Sequence, residues 1–103
     1  MTTVRFEVTG SVTVDDQSIS LTDANKQQFW IRNGKKGRVE NATSGQGALM
    51  WRVVGAIGAT YEISFTGART LNGFQTIRGT IPRSTQFADN RAWDINLRRM
   101  VID

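Results

Sequence analysis

The chain has 103 residues, of which 39% are hydrophobic and 21% charged, and its formal net charge is +4. A chain of this length holds one hydrophobic core, which predicts a single all-β domain over residues 1–103 once the strand patterns below are considered. Because the sequence contains no cysteine and no histidine, disulfides, thiol nucleophiles, His-based triads and nitrogen or sulfur zinc sites are excluded.

The first part of the chain alternates apolar and polar residues, which is the period of a β-strand. Residues 4–8 begin this pattern, and residues 29–31 continue it after several shorter stretches. Asn33 and Gly34 then form the signal of a tight hairpin turn, because both residue types tolerate a positive φ. The sequence therefore predicts a β-hairpin over residues 30–38.

The second part of the chain has the same strand character. Residues 49–54 form a nearly continuous apolar run, which is typical of a strand buried on both faces. Residues 61–65 alternate and predict a half-buried strand. In the last strand Trp93 is predicted to lie in the core, and Ile95 and Leu97 fall in the same alternating phase.

About eight short strands, separated by turn signals every 8–12 residues or so, predict an all-β fold with little or no helix. The expected architecture is a compact antiparallel β-sandwich, either jelly-roll or Ig-like, or a small barrel. This glycine-rich pattern, with tryptophan and asparagine in the loops, resembles lectin-like and carbohydrate-binding sandwiches, which is a likeness of fold alone.

Catalysis is not predicted. Without histidine or cysteine, acid–base chemistry would fall to a few carboxylates, of which Glu62 and Asp94 are the best-placed pair for the spacing that glycosidases use. Pairing with arginines across strands is the more ordinary role for such residues. We predict a non-enzymatic protein with no catalytic residue, no metal site and no cofactor.

Trp30 is the strongest candidate for ligand binding. Phe29 and Ile31 share one face of their strand, which leaves Trp30 on the other face with Gln28 and Arg32. An exposed indole offers a flat surface to sugar rings, and the leading prediction is a lectin-like module that binds a glycan or another polar ligand. The alternative is that Trp30 only covers a sheet edge. The predicted ligand-binding residues are Trp30, Arg32, Asn33, Phe74, Phe87 and Asn90.

The positive charge is concentrated in the middle of the chain. Lys35, Lys36 and Arg38 follow Trp30 within the predicted hairpin 30–38, and they are the predicted polyanion-binding residues. A basic patch beside an aromatic residue holds single-stranded nucleic acid, and it also suits an anionic membrane surface. The alternative is a solvated basic loop.

A third functional class is a self-assembling structural subunit. The apolar run at residues 49–54 and the expected edge strands would supply contacts for a homo-oligomer. The first residues read as an alternating strand and not as a secretion signal, which predicts a cytoplasmic protein. Secretion by a route that uses no signal peptide is also compatible with the sequence.

Overall fold

A computed structural model describes residues 1–32 and 34–103 of the protein, and these residues form eleven β-strands. The strands of the first half are β1 (Thr2–Gly10), β2 (Val12–Thr13), β3 (Ile19–Thr22), β4 (Gln28–Ile31), β5 (Lys36–Ala42) and β6 (Gly45–Ala56). The strands of the second half are β7 (Thr60–Thr66), β8 (Ala68–Thr70), β9 (Thr76–Thr80), β10 (Gln86–Ala88) and β11 (Arg91–Ile102).

The strands form two antiparallel sheets that pack face to face. The small sheet has the order β5-β1-β7-β9, and the large sheet has the order β10-β11-β6-β3-β4. Two short strands extend the large sheet, since β2 pairs with β6 and β8 pairs with β11. The described residues contain no helix, and therefore none that is long and apolar enough to cross a membrane. The prediction of an all-β antiparallel sandwich is confirmed.

The core lies between the two sheets and follows the alternation seen in the sequence. On β1, Val4, Phe6 and Val8 point inward and are buried, whereas the residues between them are exposed. On β6, Trp51 and Val53 point inward from the centre of the large sheet. Burial of these alternating side chains is the main force that holds the sheets together.

The number of strands differs from the prediction of about eight. The additional elements are β2, β8 and β10, which have only two or three residues each. A strand of that length is too short to show a repeat of two in the sequence.

The prediction of a hairpin over residues 30–38 is wrong. β4 pairs with β3 in the large sheet, and β5 pairs with β1 in the small sheet, so the chain passes from one sheet to the other between them. The turn signal at residues 33–34 is a local property of the backbone, and it does not determine whether the flanking strands pair with each other. Asn33 itself lies outside the described residues.

The orientation of β11 also differs from the prediction. Ala92, Met100 and Ile102 face the core, whereas Ile95 and Leu97 are 54% and 67% exposed. Trp93, which was predicted to be a core residue, is only partly buried and lies in the same outward phase. The cause is the register between β6 and β11. The inward-facing residues of β6 lie opposite the even-numbered residues of β11, so the odd-numbered residues of β11 face outward.

Candidate functional site

An open cleft of about 700 Å³ lies beside the segment that leads from β4 into β5. Its volume is in the range of known ligand pockets, which is about 300–1,000 Å³. Both sheets contribute to it, because β4 belongs to the large sheet and β1, β5 and β7 belong to the small sheet. The residues that line it are Arg5, Phe6, Glu7, Trp30, Ile31, Arg32, Lys36, Gly37, Arg38, Ser64, Phe65 and Thr66.

Gly37 lines the cleft at a point of close packing. A Cβ atom at this position would come within 2.8 Å of Ile31 Cγ2 and 2.9 Å of Phe6 Cζ. Glycine therefore allows β4 to lie close against β5 where the two sheets meet. Phe6 and Ile31, which are both buried core residues, also line the cleft here.

The walls of the cleft are strongly cationic. Arg5, Arg32, Lys36 and Arg38 line it together with one carboxylate, that of Glu7. Charges gathered in a cleft focus the local potential and raise the local concentration of anions. This charge pattern favours an anionic ligand.

Arg5 and Arg38 are direct cross-strand partners of the β1–β5 pair. Arg5 lies between the buried residues Val4 and Phe6, so its side chain is on the outer face of the small sheet. Like charges directly opposite each other destabilise a sheet. Arg38 has a partial counter-charge in Glu40, since its Nε lies 3.4 Å from Glu40 Oε1, but both side chains are well exposed and such a pair contributes little.

Trp30 lies at the rim of this cleft. It is 46% exposed, and its cross-strand partner on β3 is Ser20, which is buried. Part of the indole is therefore covered, and the exposed part lines the cleft together with the cationic side chains. The prediction that Trp30 is exposed is confirmed.

The cleft brings together two groups of residues that the sequence suggested separately. Trp30 and Arg32 come from the predicted ligand-binding set, and Lys36 and Arg38 come from the predicted polyanion-binding set. Lys35 does not line the cleft, because its Nζ donates a 3.0 Å hydrogen bond to the carbonyl oxygen of Gly10.

The other predicted ligand-binding residues lie elsewhere. Phe87 stacks on Trp93 with 5.1 Å between ring centroids, on the opposite edge strand of the large sheet. Phe74 follows the turn after β8, where its N–H donates to Thr70 Oγ1 at 3.1 Å. Asn90 is in the turn before β11 and has a φ of 55°. These residues do not form one site with Trp30.

The two carboxylates considered for glycosidase chemistry have separate structural roles. Glu62 Oε2 accepts a 2.9 Å hydrogen bond from Arg78 Nε on the small sheet. Asp94 accepts from the Tyr61 hydroxyl on the inner side of the large sheet. They belong to two different networks and do not face each other across a cleft.

Arg5 is the cationic residue of the cleft that sequence reasoning missed. It lies far from residues 30–38 in the chain, and only the pairing of β1 with β5 brings it next to Arg38. The one available signal was its outward phase between two apolar residues of β1.

The residues of the cleft, and not a similarity to a known protein, are the basis for proposing a function. No protein-family model matches the chain, and no curated protein and no solved structure matches it.

Proposed function

We propose that this protein is a non-enzymatic binding module that holds single-stranded nucleic acid in the cationic cleft beside Trp30. The observation that carries the proposal is the direct opposition of Arg5 and Arg38 on adjacent strands. This arrangement is unfavourable in the free protein. A phosphate group that accepts hydrogen bonds from both guanidinium groups would remove the repulsion and gain charge-assisted hydrogen bonds.

Trp30 supplies the second element of such a site. Bases of single-stranded nucleic acid stack on exposed aromatic rings, with a contribution of about 1–3 kcal/mol per base. Trp30 is two residues from Arg32 in the chain and shares the cleft with Lys36. A base on Trp30 would therefore place its flanking phosphates among cationic side chains.

A neutral carbohydrate fits this cleft less well. A sugar without charge would leave the repulsion between Arg5 and Arg38 in place. In addition, Phe74, Phe87 and Asn90 lie away from Trp30. Carbohydrate binding stays a prediction of the sequence, and it serves as one outcome of the test.

The experiment is a fluorescence-anisotropy titration with a labelled oligothymidylate at several salt concentrations. The affinity is expected to fall steeply with salt, with a logarithmic slope of about −0.7 for each phosphate contacted. Arg5→Gln and Arg38→Gln should each weaken binding and make this slope less steep. Trp30→Ala should weaken binding without changing the slope, because stacking involves no counter-ion.

Arg78→Gln is the matched control. Arg78 is also an exposed arginine of the small sheet, but it is bound to Glu62 and does not line the cleft. This variant should bind like the unmodified protein. Affinity that does not depend on salt, equal losses in all three arginine variants, or binding only to a neutral oligosaccharide or to anionic vesicles would each overturn the proposal.

A further inference from the structure

A second surface of the protein is independent of the cleft, at the outer edge of β11. At one end β10 pairs with Arg91 and Ala92, and at the other end β8 pairs with residues 100–102. Between these two short strands, no described strand pairs with the outer edge at residues 94–99. The edge is therefore an open gap with a strand on each side.

The backbone of this segment is oriented for pairing. Arg52 N–H donates a 2.9 Å hydrogen bond to Ser18 O, so the backbone groups of Arg52 point toward β3. Because these groups alternate in direction along a strand, those of Trp51 and Val53 point toward β11. Their partners on β11 are Asn96 and Asp94.

It follows that the N–H and C=O groups of Ile95 and Leu97 point outward, into the gap. The same alternation holds at the end of the gap, where the Trp93 carbonyl oxygen accepts from Thr85 Oγ1 on the outer side. Exposed backbone groups of this kind are a template for an additional strand.

The side chains beside the gap define the chemistry of a partner. Ile95 and Leu97 are large apolar residues that are more than half exposed. The same face carries Arg99 on β11 and Arg52 on β6, whose guanidinium carbon lies 5.3 Å from the centre of the Trp93 ring. No residue on the outer face of β6 or β11 is acidic. The surface therefore complements a chain that combines apolar and acidic residues.

A second copy of the protein does not fit this gap through its own β11. Antiparallel pairing of two β11 strands would bring the ends of one copy's β11 into the space that β10 and β8 of the other copy occupy, because β11 has 12 residues and is longer than the gap. Such a contact would also bring together two surfaces that each carry arginines and no carboxylate.

We propose that the gap between β10 and β8 receives an extended segment of another protein, which adds as a strand to β11. The gap has room for about six residues, or about 20 Å at about 3.3 Å per residue. Apolar side chains of the segment pack against Ile95 and Leu97, and its carboxylates pair with Arg52 and Arg99. This site is separate from the cleft and does not depend on the function proposed for it.

The test uses a capped peptide of about six residues, since this length fills the gap. Valine and glutamate occupy alternate positions that share one face of the strand, and threonine occupies the positions between them. Binding is followed by NMR and by amide hydrogen exchange. On binding, the amides of Ile95 and Leu97 should become protected, whereas the Trp30 region should not change. A peptide with lysine in place of glutamate should bind much more weakly.

Leu97→Pro removes an outward N–H without removing a bond to β6, and proline is tolerated at such edge positions. This variant should bind the peptide about tenfold more weakly, because the backbone hydrogen bond that residue 97 donates to the peptide is lost. Arg78→Gln is the control, since Arg78 is also exposed but lies on the small sheet. Arg5→Gln should bind the peptide normally even if it no longer binds oligonucleotide.

Three results would overturn the proposal. The first is the absence of new amide protection at Ile95 and Leu97 in the unmodified protein at saturating peptide, which does not depend on whether any variant folds. The second is equal binding of the lysine peptide. The third is protection of these amides in the free protein together with dimers in light scattering, because a second copy would then cover the edge.

Discussion

The indole N–H of Trp51 donates a 2.8 Å hydrogen bond to the hydroxyl oxygen of Tyr61 in the core of the sandwich. This bond joins β6 of the large sheet to β7 of the small sheet. The Tyr61 hydroxyl donates in turn to Asp94, whose other carboxylate oxygen accepts a 2.8 Å bond from Asn96 Nδ2. Among the described residues, no buried side-chain nitrogen or oxygen lacks a partner. The chain of polar groups therefore links the sheets without an unsatisfied atom.

Tyr61→Phe should destabilise the protein by about 1–3 kcal/mol, because the buried Trp51 N–H would lose its acceptor. The free energy of unfolding, from urea titration, measures this effect. Asp94→Asn is the informative partner variant, since its amide oxygen still accepts from Tyr61 and the loss should be smaller. A Tyr61→Phe protein as stable as the unmodified one would show that the bond between the sheets contributes nothing.

The same environment predicts an alkaline transition. Burial, with the hydrogen bond to Asp94 as a further cause, raises the pKa of Tyr61 to about 12 from a usual value of 10.0. Because the folded state holds the proton more tightly, this stabilisation is complete below pH 10 and is lost as the pH rises toward 12. Tyr61 is the only tyrosine, so phenolate absorbance reports it directly. In Tyr61→Phe, this part of the pH dependence of unfolding should disappear.

Asp23 is expected to cause a loss of stability at acid pH, whereas Tyr61 causes one at alkaline pH. Its Oδ2 accepts from the Thr43 N–H at 2.9 Å, and its Oδ1 accepts from the N–H groups of Gln27 and Asn25 at 2.9 and 3.0 Å. These bonds, the one from Thr43 first, lower the pKa of Asp23 below its usual 3.8. The stabilisation is therefore complete above that usual value and is lost as the pH falls through the lower folded-state pKa.

Asp23→Asn should flatten this acid limb, because an amide does not titrate. It should also lower the stability at neutral pH, because an amide nitrogen in the Oδ2 position cannot accept from Thr43. Asp15→Asn, a change at an exposed position, is the control. Acid unfolding followed by circular dichroism compares the three proteins, and identical acid limbs would contradict the assignment to Asp23.

Arg5→Gln is expected to make the protein more stable, although it should weaken the binding of the oligonucleotide. Arg5→Gln removes the repulsion across the β1–β5 pair and should stabilise the free protein by about 0.2–1 kcal/mol. Arg78→Gln should instead leave stability unchanged or slightly reduced, since it breaks the exposed pair with Glu62. Thermal unfolding in the absence of ligand measures both. If Arg5→Gln is less stable than the unmodified protein, Arg5 has a structural role and the argument from its repulsion of Arg38 fails.

Several features of the fold could be predicted because they are local. Alternation at residues 4–8 and 61–65 identifies strands with one buried face, and the structure buries Phe6 and Tyr61 accordingly. The same local pattern was misleading in β11, where Trp93, Ile95 and Leu97 face outward. There the alternation is real, but the side that faces the core is determined by the register with β6.

By itself, the sequence determined the strand character of the chain, the exposure of Trp30 and the concentration of positive charge near it. These properties depend on side-chain period and composition, which neighbouring residues define. Only the tertiary structure decided that β4 and β5 belong to different sheets, that Arg5 stands opposite Arg38, and that the edge of β11 is open. Each of these depends on strand pairing between distant segments, and the free energy of such pairing comes from the whole core and not from any local stretch of the chain.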